Sequence, residues 1–294
     1  MRKKIGFIGL GNMGLPMALN LCRKGFEVVV CSSKRESQQK IIEAGGGSAV
    51  SLQAMAETCD VIITIVPADQ EILSLYGPDG ILLNARPGLT CIDMTSAKGT
   101  TKISIAQYIE QTEKHLQFID APVSGGTAGA KAGTLTIMVG GTEEQYRENM
   151  DIFRAMGKTI LYTGPVGSAS NIKMLNQMLN AANTAIAAEV LCISKKLGID
   201  DRVLSQVIGQ SSGSSFVFEK NVPRYMMTDD HTPGFRLRLM KKDVGLFLDT
   251  SKEIGGFTPV SGLVYELYQA VSNHGGQDKN YTYIYQWLKE NQKN

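Results

Sequence analysis

No C-x-x-C pair, no histidine cluster and no long apolar run occurs in this chain of 294 residues. The five cysteines (Cys22, Cys31, Cys59, Cys91 and Cys192) are scattered along it, as are the three histidines (His115, His231 and His274). That spacing provides no metal-ligand set, so no metal is expected, and the thiols read as reduced in a cytosolic protein. No apolar stretch is long enough to span a bilayer. The opening "MRKKIGFIGLG" has basic residues before apolar ones, but its apolar run is too short and too rich in glycine for a secretory signal. Formal charge is only +2 and no basic block stands out, so nothing favours nucleic acid as a partner. With 43% apolar and 20% charged residues, the chain is globular, and its length suits one large domain or two ordinary ones.

The first half alternates strand and helix. "KIGFIGL", "EVVVCS", "DVIITIVP", "LTCIDMT", "QFIDAPV", "TLTIMVG" and "TILYTG" read as strands, mostly with helical or looped connections. "DVIITIVP" is continuously apolar, as in a strand buried on both faces. This alternation implies a mostly parallel sheet covered by helices. The character changes near Gly164. Residues 168–197 read as one long helix without proline, and three further amphipathic helices follow. The expected fold class is therefore α/β: a parallel-sheet domain over residues 1–163, then an all-helical domain over residues 164–294.

Three glycines, Gly9, Gly11 and Gly14, form G-x-G-x-x-G around Leu10, Asn12 and Met13. The pattern alone is weak, but here it leaves a strand and opens a helix. In that context the first glycine permits a tight turn, the second lets a pyrophosphate approach the backbone, and the third lets helix pack on strand. The helix N-terminus offers unpaired N–H groups to the phosphates. The first domain thus reads as a Rossmann-type dinucleotide-binding domain. Sites for NAD usually carry an acid at the end of the second strand, to accept from the ribose hydroxyls. This chain has "VVVCSSKRES" there. Ser32, Ser33, Lys34 and Arg35 suit a 2′-phosphate, which favours NADP with NAD possible; an exposed loop facing water is the other reading.

Two further features carry chemistry. In "DAPVSGG", Ser124, Gly125 and Gly126 make a turn rich in backbone N–H groups that can hold a carboxylate, or else a flexible glycine loop. In "SNIKMLNQMLN", Lys173, Gln177, Asn180 and Thr184 share one helical stripe, with Asn176 beside it and Met174, Leu175, Met178, Leu179 and Ala182 opposite. A solvated face would carry Glu and Lys pairs, whereas this one carries amides, a hydroxyl and one cation. It reads as the lining of a polar cleft, or as a snorkelling lysine with amides bonded to nearby backbone.

Four stretches occur in order along nearly the whole chain: "GFIGLGNMG", "DAPVSGGTAGAKAGTLTIMVGG", "GPVGSASNIKMLNQML" and "PGFRLRLMKKD". Together they resemble the β-hydroxyacid dehydrogenase family, which includes 3-hydroxyisobutyrate dehydrogenases, tartronate semialdehyde reductases and glyoxylate/succinic semialdehyde reductases. The resemblance implies an N-terminal Rossmann domain, a helical C-terminal domain and oxidoreduction of a small hydroxy acid. It makes Lys173 the proton donor and acceptor, and a lysine in a dry site can supply a proton near neutral pH. It places Ser124, Gly125, Gly126, Asn176 and Gln177 at the substrate. It places Val66, Pro67, Thr95, Ser96, Phe235 and Lys242 at the cofactor. Two asparagines after the lysine are common in the family, and here they are Asn176 and Gln177; Ala169 stands where glycine is common. Both departures bear on substrate choice.

The expected function is an NADP-dependent 3-hydroxyacid dehydrogenase or semialdehyde reductase in the cytoplasm. Its partner is a small-molecule carboxylate, and the family implies a homodimer or homotetramer. The alternatives are an NAD-dependent 3-hydroxyisobutyrate dehydrogenase and a cofactor-binding protein without catalysis. Imine reductases of the superfamily usually lack the lysine, and a 6-phosphogluconate dehydrogenase would need a longer helical domain.

Overall fold

The computed structural model describes residues 3–32, 34–48, 51–112, 114–228, 232 and 234–292. It divides into two compact units, residues 1–173 and 174–294.

The first unit is built on one sheet. Its strands are β1 (Lys4–Ile8), β2 (Glu27–Val30), β3 (Gly47–Ser48), β4 (Val61–Thr64), β5 (Thr90–Asp93), β6 (Gln117–Asp120), β7 (Val123–Ser124), β8 (Leu135–Gly140) and β9 (Gly157–Gly164). They lie in the order β3-β2-β1-β4-β5-β6-β8-β7, with β9 also paired to β8. From β3 to β6 every pairing is parallel. The strand β8 runs antiparallel to β6 and β7, and β9 runs parallel to β8. Strand β4 is buried along its whole length, as a strand covered on both faces must be.

Helices α1 (Gly14–Arg23), α2 (Arg35–Glu43), α3 (Leu52–Thr58), α4 (Asp69–Tyr76), α5 (Gly99–Glu110), α6 (Gly126–Ala132), α7 (Glu143–Glu148) and α8 (Met150–Met156) connect the strands. On α1, Met17, Ala18 and Leu21 are buried. They join Phe7, Val28, Ile63, Ile92, Ile137 and Phe153 in one core. A second core around Ile62, Met55, Tyr76, Cys91 and Phe118 also lies in this unit. Each fully buried Leu, Ile, Phe or Met side chain contributes on the order of 1.5–3 kcal/mol.

Helix α9 (Ser168–Lys196) runs unbroken for 29 residues, as the absence of proline and the few charges foretold. The second unit continues with α10 (Asp201–Gly209), a widely wound helical segment (Val217–Met226), α11 (Leu237–Glu253), α12 (Pro259–Val271) and α13 (Ile284–Asn291). Its core gathers Ala181, Ala188, Leu191, Phe218, Val222, Met240, Val244 and Tyr268. No helix of the described residues is long and apolar enough to cross a membrane. Among them no group of His, Cys, Asp and Glu could hold a metal ion.

Candidate active site

The glycine fingerprint has three physical causes. Gly9 has φ +99°, and a Cβ there would collide with the carbonyl oxygen of Ile65. A Cβ on Gly14 would collide with the carbonyl oxygen of Gly9. Gly11 is different: among the described residues nothing beyond its chain neighbours lies within 4 Å of the position its Cβ would take. The fold itself demands no glycine at 11, so the bare backbone there is free for a ligand to approach. Leu10 is buried, Asn12 is exposed and Met13 packs on the core beside α1. A pyrophosphate fits this turn, with the first turn of α1 behind it.

At the end of β2, Ser32 Oγ accepts a 3.1 Å hydrogen bond from the Lys34 N–H. Lys34 and Arg35 are exposed where α2 begins. Ser33 lies outside the described residues. The first carboxylate after the strand is Glu36, which lies 2.6 Å from Lys40 on the same helix. No acid therefore stands where an NAD ribose would seek one.

The carboxyl edge of the sheet carries a polar row. Thr64, Asp93 and Asp120 end β4, β5 and β6, with Asp93 in register with each of the other two. Asp93 accepts from the Thr64 hydroxyl, the Thr95 N–H (3.0 Å), the Thr95 hydroxyl (3.3 Å) and the Lys102 ammonium. Thr95 Oγ1 in turn accepts from the Val66 N–H at 3.0 Å. The expected cofactor residues Val66 and Thr95 are thus brought together, with Pro67 exposed and Ser96 half-buried beside them. Lys102 also lies 3.6 Å from Asp120 Oδ1. Asp120 accepts from Ser170 twice, from its N–H at 2.8 Å and its hydroxyl at 2.7 Å. Burial pushes the Asp120 carboxyl above its ordinary range, Lys102 and the Ser170 bonds oppose this, and Asp93 adds to the rise. Asp93, Lys102, Asp120 and Ser170 were not foreseen as functional, because no local motif joins them.

In the glycine loop, Ser124 ends β7 half-buried, and Gly125 and Gly126 have φ +129° and +60°. Among the described residues no atom beyond its chain neighbours lies within 4 Å of a Cβ on Gly126, so that side of the turn is open.

On helix α9 burial does not follow polarity. Lys173 and Gln177 are only 6% and 5% exposed, and Thr184 is buried. Met174 and Met178 are buried too, but Leu175 and Leu179 are exposed, Leu179 at 66%. The polar stripe faces inward and part of the apolar one faces out. The stripe of Lys173, Gln177 and Thr184 is thus not a solvated face.

In the second unit, Gln177 Nε2 donates to Asp243 Oδ2 at 2.8 Å, and the Asn176 amide reaches Gln177 Oε1 at 3.4 Å from an exposed position. Lys242 lies 3.2 Å from Asp243 Oδ1. Lys241 donates instead to Gln269. Phe235 stacks edge-on against Tyr281. Asp243, 2% exposed on α11, is thus the hub joining Gln177 and Lys242. The "KKD" tripeptide signalled it, although only its lysine was singled out.

Comparison with known proteins identifies the family. Residues 4–164 match the family profile for the NAD-binding domain of 6-phosphogluconate dehydrogenase. Residues 167–288 match the profile described as NAD-binding of NADP-dependent 3-hydroxyisobutyrate dehydrogenase. The 2-(hydroxymethyl)glutarate dehydrogenase of Eubacterium barkeri is 34% identical over 267 residues, 90% of this chain and 88% of that one. The NAD-dependent L-serine dehydrogenase of Pseudomonas aeruginosa is 33% identical over 292 residues, 96% of each chain. The solved structure of Mycobacterium tuberculosis 3-hydroxyisobutyrate dehydrogenase with L-serine superposes with a TM-score of 0.90 at 29% identity, covering 98% of this chain and 100% of that one. The glycine turn, the inward lysine on α9 and both family profiles lead to one assignment: the chain belongs to the β-hydroxyacid dehydrogenase family, NAD(P)-dependent oxidoreductases acting on CH–OH groups.

Proposed function

We propose that the chain interconverts a small 3-hydroxy acid and its semialdehyde, with NADP as cofactor and Lys173 as proton donor and acceptor. The observation that carries this reading is the inward position of Lys173 on α9, one turn before the buried amide of Gln177. A cation so placed stabilises negative charge developing on a carbonyl oxygen and then protonates it. In the oxidative direction it takes the alcohol proton. The bound nicotinamide supplies or accepts the hydride. Ser124, Gly125 and Gly126 would hold the substrate carboxylate through N–H groups and a hydroxyl, with Asn176 and Gln177 bonding a substituent.

The names of the relatives narrow the chemistry. L-serine, 3-hydroxyisobutyrate and 2-(hydroxymethyl)glutarate share a primary alcohol on the carbon next to the one bearing the carboxylate. They differ only in the substituent on that middle carbon. This favours the semialdehydes of tartronate and methylmalonate over glyoxylate and succinic semialdehyde. For the cofactor, Ser32, Ser33, Lys34 and Arg35, with no acid before them, support NADP. Phe235, Lys242, Thr95, Ser96, Val66 and Pro67 would border the bound cofactor. The apolar residues exposed along α9 support association with a second copy as dimer or tetramer.

The test is loss of NADPH absorbance with tartronate, methylmalonate and succinic semialdehydes and glyoxylate, with NADH in parallel. Lys173→Ala should lower kcat about 10²–10⁴-fold, the usual contribution of a general acid. Cofactor binding without turnover on any of these would overturn the catalytic assignment.

A further inference from the structure

The carboxylates of Asp93 and Asp120 end neighbouring parallel strands in register. Both residues are fully buried, a juxtaposition that two anions do not tolerate unless a cation lies between them. Lys102, also fully buried, supplies it from the first turn of α5. The two carboxylates hold different things. Asp93 fixes Thr95 through its N–H and hydroxyl, and Lys102 adds a 3.2 Å bond to the Thr95 carbonyl. Asp120 caps the start of α9 through the Ser170 N–H and hydroxyl. Lys173 lies on the next turn of that helix. The start of α5 is locked to the same place: a Cβ on Gly99 would come 2.8 Å from the Gly167 carbonyl oxygen, just before α9.

We propose that Asp93, Lys102 and Asp120 form a buried brace that positions Lys173, acting through Ser170, against the Thr95 end of the sheet. The proposal rests on the reading of Lys173 as the proton donor. Ser170, Asp120 and Lys102 are positioning residues and touch no reacting atom. Four positions widely separated in sequence thereby tie a loop expected at the nicotinamide to the helix that carries the acid.

A double-mutant cycle tests it on the full chain. Ser170→Ala removes the hydroxyl bond and leaves the N–H bond, so the fold is retained. Its kcat should fall about tenfold, as small misplacements of a catalytic group do, with KM for NADPH unchanged. In the Lys173→Ala background the same change should lower the residual rate less than about twofold, because nothing remains to be positioned. Asp120→Asn keeps an acceptor for the Ser170 N–H but removes the charge opposite Lys102, and should lower kcat further. A Ser170→Ala enzyme with wild-type kcat would overturn the brace. So would an equal loss in both backgrounds, since that marks general loosening. If Lys173→Ala alone is as active as the parent, the functional reading falls and takes the brace with it. Should Asp120→Asn fail to fold, the Ser170 cycle alone decides.

Discussion

Gln177 and Asp243 are joined by a 2.8 Å hydrogen bond in which the amide donates and the carboxylate accepts. The bond fixes the amide orientation, so Gln177 presents its carbonyl oxygen on the other side, towards Asn176. If Gln177 borders the substrate as proposed, an acceptor so aimed would select a hydroxyl or ammonium there. Asp243→Ala would free the amide to flip and weaken that selection. KM for the hydroxy acid should rise about tenfold, the effect of losing one charged hydrogen bond, while KM for the cofactor stays level. Steady-state kinetics with both substrates varied would show it; a rise in cofactor KM alone would refute it.

The proposed choice of NADP rests on the end of β2. If Lys34 and Arg35 pair with a 2′-phosphate, Arg35→Glu should lower kcat/KM for NADPH by about tenfold or more and leave NADH nearly unchanged. Both residues are exposed, so stability should stay within about 0.5 kcal/mol of the parent. Equal losses with the two cofactors would argue against the phosphate site.

Asp120 gives a pH signature. Burial raises its carboxyl first, and Asp93 adds to this against Lys102 and Ser170. The native state then holds a proton at pH values where the unfolded chain, with an ordinary carboxylate, has lost it. Stability from this group is therefore present on the acid side and is lost as pH rises from the ordinary carboxylate value through the raised native one. Asp120→Asn removes the titration. Urea unfolding of the two proteins should show the parent's advantage over the variant shrinking across that window. An advantage that grows with pH would contradict the direction.

The outward face of α9 makes a claim about assembly. Ile172, Leu175, Leu179, Ile186 and Ile193 are all exposed at helical spacing. Leu179→Glu should turn an oligomer into a monomer in light scattering with little change in the helical circular dichroism. An oligomer of unchanged mass would place the interface elsewhere.

Much of the fold was legible because its causes are local. The strand at Val61–Thr64, the glycine turn and the long proline-free helix each follow from neighbouring residues. What stayed hidden was non-local. Asp93, Lys102, Asp120 and Ser170 meet only because β5, β6, α5 and α9 converge at one edge, and nothing in their spacing announces it. The antiparallel turn of β8 against β6 has the same origin, since strand order is not written in strand composition. On α9 the stripe and its unsolvated character were both legible, because it carries amides and one cation in place of Glu and Lys pairs. What stayed hidden there was the exposure of Leu175 and Leu179 on the opposite side.

Gly11 separates two properties that are usually entangled. Among the described residues no non-neighbouring atom lies within 4 Å of a Cβ there, so a methyl group should cost the fold little and stiffen the unfolded chain slightly. The same methyl would stand where a diphosphate must come. A single substitution could therefore yield a chain as heat-resistant as its parent yet blind to its coenzyme, a natural blank for every binding measurement on this enzyme.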